Sequence, residues 1–331
     1  MATPVFECLR QNLPDVRITA LTRSYNAKII EGEPWLDAVI PCSDQTIDDL
    51  LKTAQAVRNS GADTAILLPN SIRSYLPVRM GGIKKIFGYR RGGRKIFLDG
   101  PLPKKSQNGI LPMPMIHYYL ELCKWLGLDV PDDPKPCLSV SEELNSLADQ
   151  LFEQYQIKPE DRVIGFNPGA KFGSSKCWPP QYFANLADLM KDQWDCKILL
   201  FVGPGEDTIA EEICKLSNAA VINTGPDRID LALLKPMIRR CDLLVTNDTG
   251  PRHYAVAFDR PVVVIMGPTD PRYTNSNLEH TIILRKDLPC APCHEKECVQ
   301  QHECMQDITP ERVMAAAQTL LTKPDPKGQL P

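Results

Sequence analysis

Two turns in the C-terminal half of the chain combine residue types that bind anions. In the first, the apolar run VIGF leads straight into NPGAKFGSSKCWPPQYF, a glycine-containing, hydroxyl-rich loop with two lysines before a helix. Backbone N–H groups at a helix start carry partial positive charge. Ser174 and Ser175 can donate hydrogen bonds, and Lys176 supplies a full charge for a phosphate. For this loop alone, a solvated segment whose lysines only keep it soluble is an equal reading, and the P-loop pattern is missing. In the second turn, within DLLVTNDTGPRHYAVAF, a buried strand ends at Asn247 and Asp248, and a helix opens after Gly250 with His253 in its first turn. Asp248 could accept hydrogen bonds from sugar hydroxyls, Thr249 and Gly250 could reach phosphate oxygens, and His253 could donate to a diphosphate. The competing reading makes Asp248 or Thr249 a helix cap and nothing more. Between the two lies FVGPGEDTIAEEI, where Glu206 or Asp207 stands beyond a strand end, as acids that bind ribose hydroxyls do. Acids in a first helical turn are also favourable without any ligand. Two anion-type turns in one half tip the balance toward a binding site.

In the N-terminal half, Asn70, Ser71, Arg73, Arg90, Arg91 and Arg94 give a local basic surface suited to an acceptor carrying carboxylate and phosphate groups. An ordinary solvated face is the alternative for Arg91 and Arg94. Cys290, Cys293, Cys298 and Cys304 form a C-x2-C-x4-C-x5-C cluster with His294 and His302 interleaved. Such ligands could hold zinc, but the spacing is not that of a standard finger. Thiols packing a loop, or a disulfide, are the expectation, with no metal. The other eight of the twelve cysteines are scattered singly and are expected to be buried thiols.

The elements that must position these residues alternate. The N-terminal half reads as a helix at about 3–12, strands RITALT and DAVIP, a helix at 46–58, the strand TAILLP and a helix at 113–126 stopped by Gly127. VPDDPKPCLSV is a proline-rich linker. Beyond it, strands VIGF, KILLFV, DLLVT and PVVVIM alternate with helices at 180–192, 207–217, 229–240 and 251–258. Continuous apolar runs of this kind belong to parallel strands covered on both faces. Thr309 and Pro310 open a last helix, PERVMAAAQTLL, and the tail is expected to be disordered. The fold class is therefore α/β with two doubly wound domains. Their expected bounds are 1–130, a linker at 131–140, 141–308, a C-terminal helix at 309–321 and a tail at 322–331. A doubly wound sheet normally opens with a strand, whereas this chain opens inside a helix, so the first strand is expected to be missing.

The 331 residues carry a net charge of −3, with 43% hydrophobic and 24% charged residues, which is a soluble composition with no basic excess calling for nucleic acid. No run approaches the roughly 20 apolar residues of a membrane span, and a cytoplasmic location is expected.

Four segments in order, MATPVFECLRQNLPDVRITAL, LLPNSIRSYLPVRMGGIKKIFGYRRGGR, GFNPGAKFGSSKCWP and VTNDTGPRHYAVAFDRPVVVIMGPTDP, make the chain similar to the ADP-heptose:lipopolysaccharide heptosyltransferases of glycosyltransferase family 9. LLPNSIRS, GYRRGGR and CAPCHEKECVQQHECM resemble the heptosyltransferase II branch. The resemblance implies a GT-B fold, two Rossmann-like domains facing a cleft, with the donor on the C-terminal one and the acceptor on the N-terminal one. It implies inverting transfer of heptose from ADP-L-glycero-D-manno-heptose to the lipopolysaccharide inner core, without a cofactor. Lys176 would hold the diphosphate and stabilise the leaving group, Asp248, Thr249 and Gly250 would bind heptose and phosphate, and His253 would support that turn. Asn70, Ser71, Arg73 and Arg90 would meet a lipid-linked anionic oligosaccharide, with peripheral contact at the inner face of the inner membrane. The family's base, an aspartate of a GD pair, would lie upstream of Met1. The 331-residue form is accordingly expected to be inactive and poorly stable in its N-terminal domain. A non-catalytic sugar-nucleotide-binding relic and a related enzyme such as an epimerase are the other readings.

Overall fold

The computed structural model describes residues 1–43, 45–106 and 109–322. The chain divides into two compact units, one formed by Met1–Ser139 with Arg272–Ser276 and the other by Val140–Pro271 with the chain from Asn277 onward. The expected tail, apart from Thr322, lies outside the described residues.

The first unit runs α1 (Thr3–Asn12), β1 (Thr19–Arg23), α2 (Ser24–Ile30), β2 (Ala38–Cys42), α3 (Ile47–Asn59), β3 (Thr64–Leu67), α4 (Ile72–Met80), β4 (Lys85–Gly88), the hairpin β5 (Lys105–Ser106) and β6 (Gly109–Ile110), and α5 (Met115–Trp125). β1 pairs with β2 and β3 with β4, both parallel, and among the described residues no strand joins the two pairs. The amphipathic faces of α1 and α5 meet through Val5, Cys8, Leu9, Ile116, Leu120 and Cys123, with Ile66 and Leu68 packed against them. α3 starts where it does because Thr46 and Asp49 form a reciprocal capping box. Gly127, just past α5, has φ +81°, a left-handed conformation that suits the glycine read as a stop. α2, α4 and β4 are short, and Pro77 interrupts the apolar period of α4, so the sequence pattern does not reveal them.

The second unit runs α6 (Glu142–Gln154), β7 (Arg162–Asn167), α7 (Pro180–Gln193), β8 (Cys196–Leu200), α8 (Asp207–Leu216), β9 (Val221–Asn223), α9 (Leu234–Arg239), β10 (Leu243–Asn247), α10 (Gly250–Ala257), β11 (Val262–Ile265), β12 (Thr281–Leu284), α11 (Glu303–Gln306) and α12 (Pro310–Leu321). Its six strands form one parallel sheet in the order β12-β11-β10-β7-β8-β9. That is the doubly wound order of a Rossmann-like domain, and the winding reverses between β7 and β10. β10 and β11 are buried at every position, as strands with helices on both faces must be. The core gathers Phe166, Trp178, Phe183, Val245, Ile265 and Met305.

α12 begins as read, with the Thr309 hydroxyl accepting from the Arg312 amide, and it buries Val313, Met314, Ala317 and Leu320 against this core. The helix expected over 229–240 is shorter, because Asp230 Oδ1 accepts from the amides of Ala232 and Leu233 at 3.0 and 2.9 Å. This local turn competes with helix and delays its start.

All twelve cysteines are unpaired. Of the eight scattered ones, Cys8, Cys123, Cys196 and Cys241 are buried, while Cys42, Cys137, Cys177 and Cys214 are only partly so. The expectation of eight buried thiols is thus corrected to four: Cys42 ends β2, Cys214 lies in the last turn of α8, and Cys137 and Cys177 sit in the connections before α6 and α7, where the core covers them less. Cys290, Cys293 and Cys298 are exposed and Cys304 is buried.

Candidate active site

The winding reversal opens a crevice at the C-terminal ends of β7 and β10, where Asn167 and Thr246 are register partners. Both anion-type turns leave the sheet there. Their asparagines cross-link them: Asn167 Nδ2 donates to Thr246 Oγ1 at 3.2 Å and Thr249 Oγ1 at 3.1 Å, and Asn247 Nδ2 donates to Pro168 O at 2.6 Å. The Trp178 amide donates to Asn247 Oδ1 at 3.1 Å, and its indole N–H to Ile308 O at 2.7 Å. All but the part-buried Asn167–Thr249 bond are buried, so each group that loses its partner keeps a desolvation penalty, and the turns hold one geometry.

On this frame Lys176 and Asp248 meet. The Lys176 ammonium donates to Asp248 O at 2.8 Å and to Asp248 Oδ2 at 3.0 Å, and it stands 5.1 Å from the centre of the Phe172 ring. Arg252 donates to the other carboxylate oxygen, Oδ1, at 2.8 Å, and Thr269 Oγ1 donates to Oδ2 at 2.7 Å. The side chains of Lys176 and Asp248 are 13% and 11% exposed and that of Arg252 only 1%, so this charge cluster is largely withdrawn from water. Burial alone would raise the Asp248 carboxyl. The Lys176 ammonium, the Arg252 guanidinium and the Thr269 hydroxyl outweigh it and hold the group at about 2. Asp248 is therefore a carboxylate at any physiological pH. Lys176 and Arg252 thus share one carboxylate, and the Lys176 ammonium, 13% exposed, stands where an anion could reach it.

Thr249 is the N-cap residue of α10 but makes no side-chain cap bond; its hydroxyl is turned to Asn167. A Cβ added at Gly250 would meet nothing within 4 Å, so the first turn of α10 is open to a ligand. His253 follows in that turn, and burial, with Arg252 beside it, pushes its imidazole well below the ordinary value, so it is neutral. Glu206 folds back, accepting from the Gly203 amide at 2.8 Å and lying against Gly169, where an added Cβ would come within 1.8 Å of its carboxyl carbon. Burial raises this carboxyl. Glu206 thus borders the same crevice, while Asp207 is exposed in the first turn of α8.

Ser174 is exposed, but Ser175 is not where the sequence puts it. It is 2% exposed, its hydroxyl donates to Glu295 O at 2.6 Å and its amide to Lys296 O at 3.0 Å. His302 Nε2 lies 2.7 Å from the Ser175 carbonyl. Ser175 ties the lysine turn to the cysteine-bearing segment, and its hydroxyl is already spent on that contact. Gly173 makes the approach possible: an added Cβ would stand 2.2 Å from Lys296 O, at φ +153°. A cavity of about 410 Å³ on this side is lined by Ser174, Ser175, Cys298, Gln301 and His302. Among the described residues no His, Cys, Asp or Glu side chains are grouped as metal ligands.

In the first unit, Asn70 Oδ1 accepts from Arg94 at 3.2 Å and from Tyr118 Oη at 3.1 Å. Ser71 caps α4, Arg73 is exposed, and Arg90 is exposed with Nε donating to Lys95 O at 3.1 Å. Arg91 is exposed as well. Arg94 belongs to neither a basic surface nor a solvated face. It is 1% exposed, and its guanidinium reaches Pro69 O at 2.9 Å and Tyr89 O at 3.4 Å besides Asn70. The short 3-10 turn Gly92–Arg94 swings it inward, where these oxygens take up its two terminal nitrogens while the buried Nε has no partner among the described residues.

Sequence reasoning left the role of Arg252 open and missed Thr269. The i, i+4 spacing of Asp248 and Arg252 was a readable signal; nothing in the sequence announces that Thr269, beyond β11, reaches the same carboxylate.

Residues 50–303 match the profile of glycosyltransferase family 9 (heptosyltransferase), more than half of the chain. The lipooligosaccharide heptosyltransferase 2 of Campylobacter jejuni is 36% identical over 168 residues, 48% of this chain and 51% of that protein. Over nearly full length, covering 97% of this chain and 94% of the relative, the chain is 27% identical to the lipopolysaccharide heptosyltransferase 2 of Escherichia coli. The solved structure of the Escherichia coli ADP-heptose heptosyltransferase II superposes with a TM-score of 0.78 at 26% identity, covering 96% of this chain and 93% of that one. With this match, a Rossmann-like second unit and two anion-type turns joined at its winding reversal, the chain belongs to the heptosyltransferases of glycosyltransferase family 9.

Proposed function

We propose that this glycosyltransferase moves heptose from ADP-L-glycero-D-manno-heptose to the lipopolysaccharide inner core with inversion. The observation that carries the reading is the Lys176–Asp248–Arg252 cluster at the crevice between β7 and β10. An acceptor hydroxyl attacks the anomeric carbon as a general base, an aspartate in the family the chain resembles, takes its proton, and the bond to the diphosphate breaks with its electron pair leaving on ADP. Charge grows on the departing ADP. Lys176 and the open first turn of α10 are oriented toward that charge before the reaction begins, which is the arrangement that lowers such a barrier most. We assign no cofactor, because these groups supply the positive charge the leaving group needs.

Arg252 holds one oxygen of Asp248 and leaves the other to Lys176 and Thr269. Asp248 then keeps Lys176 extended and offers its remaining lone pair to a sugar hydroxyl. Thr249, Gly250 and Ser174 are assigned to the phosphates, His253 to support of the turn, and Glu206 or Asp207 to the ribose. Asn70, Ser71, Arg73 and Arg90 are assigned to a lipid-linked anionic acceptor. Such an acceptor puts the enzyme at the cytoplasmic face of the inner membrane. No described helix is long and apolar enough to cross one.

Calorimetric titration tests the donor assignment without requiring turnover. Lys176→Met is expected to weaken ADP and ADP-heptose binding by about 10- to 100-fold, the scale of one charge-assisted phosphate contact, while the fold persists because Arg252 and Thr269 still hold Asp248. Unchanged ADP affinity would overturn the assignment. Preference for ADP-heptose over UDP- and GDP-hexoses, read by the same calorimetric titration, tests the sugar.

A further inference from the structure

Residues 84–105 of the first unit carry eight Lys or Arg and a single acid, Asp99, in a chain whose net charge is −3. Arg94 is buried and the other seven cations are exposed. Large apolar side chains stand among them: Ile96 is 84% exposed, Leu102 61% and Phe97 52%. The backbone brings these together. The Arg90 amide donates to Pro101 O at 3.0 Å and its Nε to Lys95 O at 3.1 Å, so one arginine fastens the segment bearing Ile96 and Phe97 to the one bearing Leu102. Phe97 is anchored by stacking on Tyr75, with ring centroids 5.8 Å apart, whereas Ile96 and Leu102 project. The pairing of Lys104 with Glu121 at 3.0 Å neutralises one cation and leaves the face strongly positive.

A free oligosaccharide has use for the cations but none for Ile96 or Leu102. An anionic bilayer has use for both, since apolar side chains enter the headgroup boundary while lysines and arginines around them meet lipid phosphates. We propose that the 84–105 face is a membrane-docking surface for anionic phospholipid, with Ile96 and Leu102 as its wedge and Arg91 and the surrounding lysines as its phosphate contacts. This deepens the reading of a lipid-linked acceptor, because it sets the acceptor-binding unit on the surface where such a lipid resides.

The experiment is co-sedimentation of the full chain with vesicles of phosphatidylcholine alone or with about one third phosphatidylglycerol. Binding to the anionic vesicles is expected to be about tenfold stronger or more, and to fall as salt is raised. Ile96→Asp with Leu102→Asp is expected to reduce it by about tenfold, with ADP affinity and thermal midpoint unchanged, since both side chains already lie in water. Lys95→Glu with Lys105→Glu is expected to act similarly. Equal binding to both vesicle types, or full anionic-vesicle binding by either double variant, would overturn the proposal. Vesicle binding needs no nucleotide, so its failure and failure of the donor assignment are read separately.

Discussion

The two units solve the same problem, burying parallel strands, to different extents. In the second, β7 and β10 sit at the centre of six hydrogen-bonded strands, and nearly all of their residues are buried. In the first, β1–β2 and β3–β4 are separate pairs whose residues are mostly half-buried, and only Ala20, Leu67, Ile86 and Gly88 are fully covered. A parallel pair alone leaves each strand one unpaired edge and offers little apolar area against the entropy of ordering it. The lesson concerns where chemistry can be held: a charge cluster kept out of water needs a rigid sheet beneath it, and the second unit supplies one.

Amide hydrogen exchange gives the widest test of that contrast. Val245 and Val263, in β10 and β11, are expected to exchange only through openings near the global unfolding free energy, on the order of 5–15 kcal/mol. Ala20 and Ala65, in β1 and β3, should open several kcal/mol more easily. Equal protection in the two sets would remove the distinction. Next in size is the charge cluster itself. Asp248→Asn removes the carboxylate that Arg252, 1% exposed, and Lys176 share. Breaking a buried pair in this way costs about 3–5 kcal/mol. Urea unfolding followed separately in each unit should show the loss in the second and leave the midpoint of the first in place; a loss shared equally would mean that the units unfold as one.

Much of this arrangement is legible in the lettering, for a physical reason. VIGF and DLLVT are continuous apolar runs ending in Asn, and strands of that kind lie inside a sheet with their loops at one edge. Lys176 and Asp248 could therefore be expected near each other from the sequence alone. Thr309 announced its helix because a cap acts within four residues. What could not be read is what distant segments do. Ser175 turns inward because Glu295 and Lys296, some 120 residues later, bring carbonyls to it. Arg94 turns inward because Pro69 and Tyr89 offer carbonyls that its composition-rich neighbourhood, full of exposed cations, gives no reason to expect. Thr269 joins the cluster through the β10–β11 pairing, which places the loop after β11 beside the one after β10.

Acid supplies the smallest and most selective test. The Asp248 carboxyl, ordinarily at 3.8, is held at about 2 in the folded chain. Between those values the unfolded chain binds the proton and the folded chain does not, so stability rises with pH across the interval. The contribution, about 2 kcal/mol by the usual conversion of a pKa shift, is complete above about pH 5 and gone below about pH 2. Asp188 acts in the same direction in the same unit: burial opposes its ionisation, but the Ser217 hydroxyl, the Ala219 amide and the Asn218 side chain more than offset it. In the first unit the depressed carboxyls are Asp37, exposed and lowered through the Ile18 amide, and Asp49, only partly covered and lowered through Ser43, and near the surface such bonds carry little stability. Lowering the pH from 5 toward 2 should thus narrow the gap between the units, with the second losing more than the first. In Asp248→Asn the second unit should lose about 2 kcal/mol less over the same range; an unaltered acid response in that variant would place the sensitivity elsewhere.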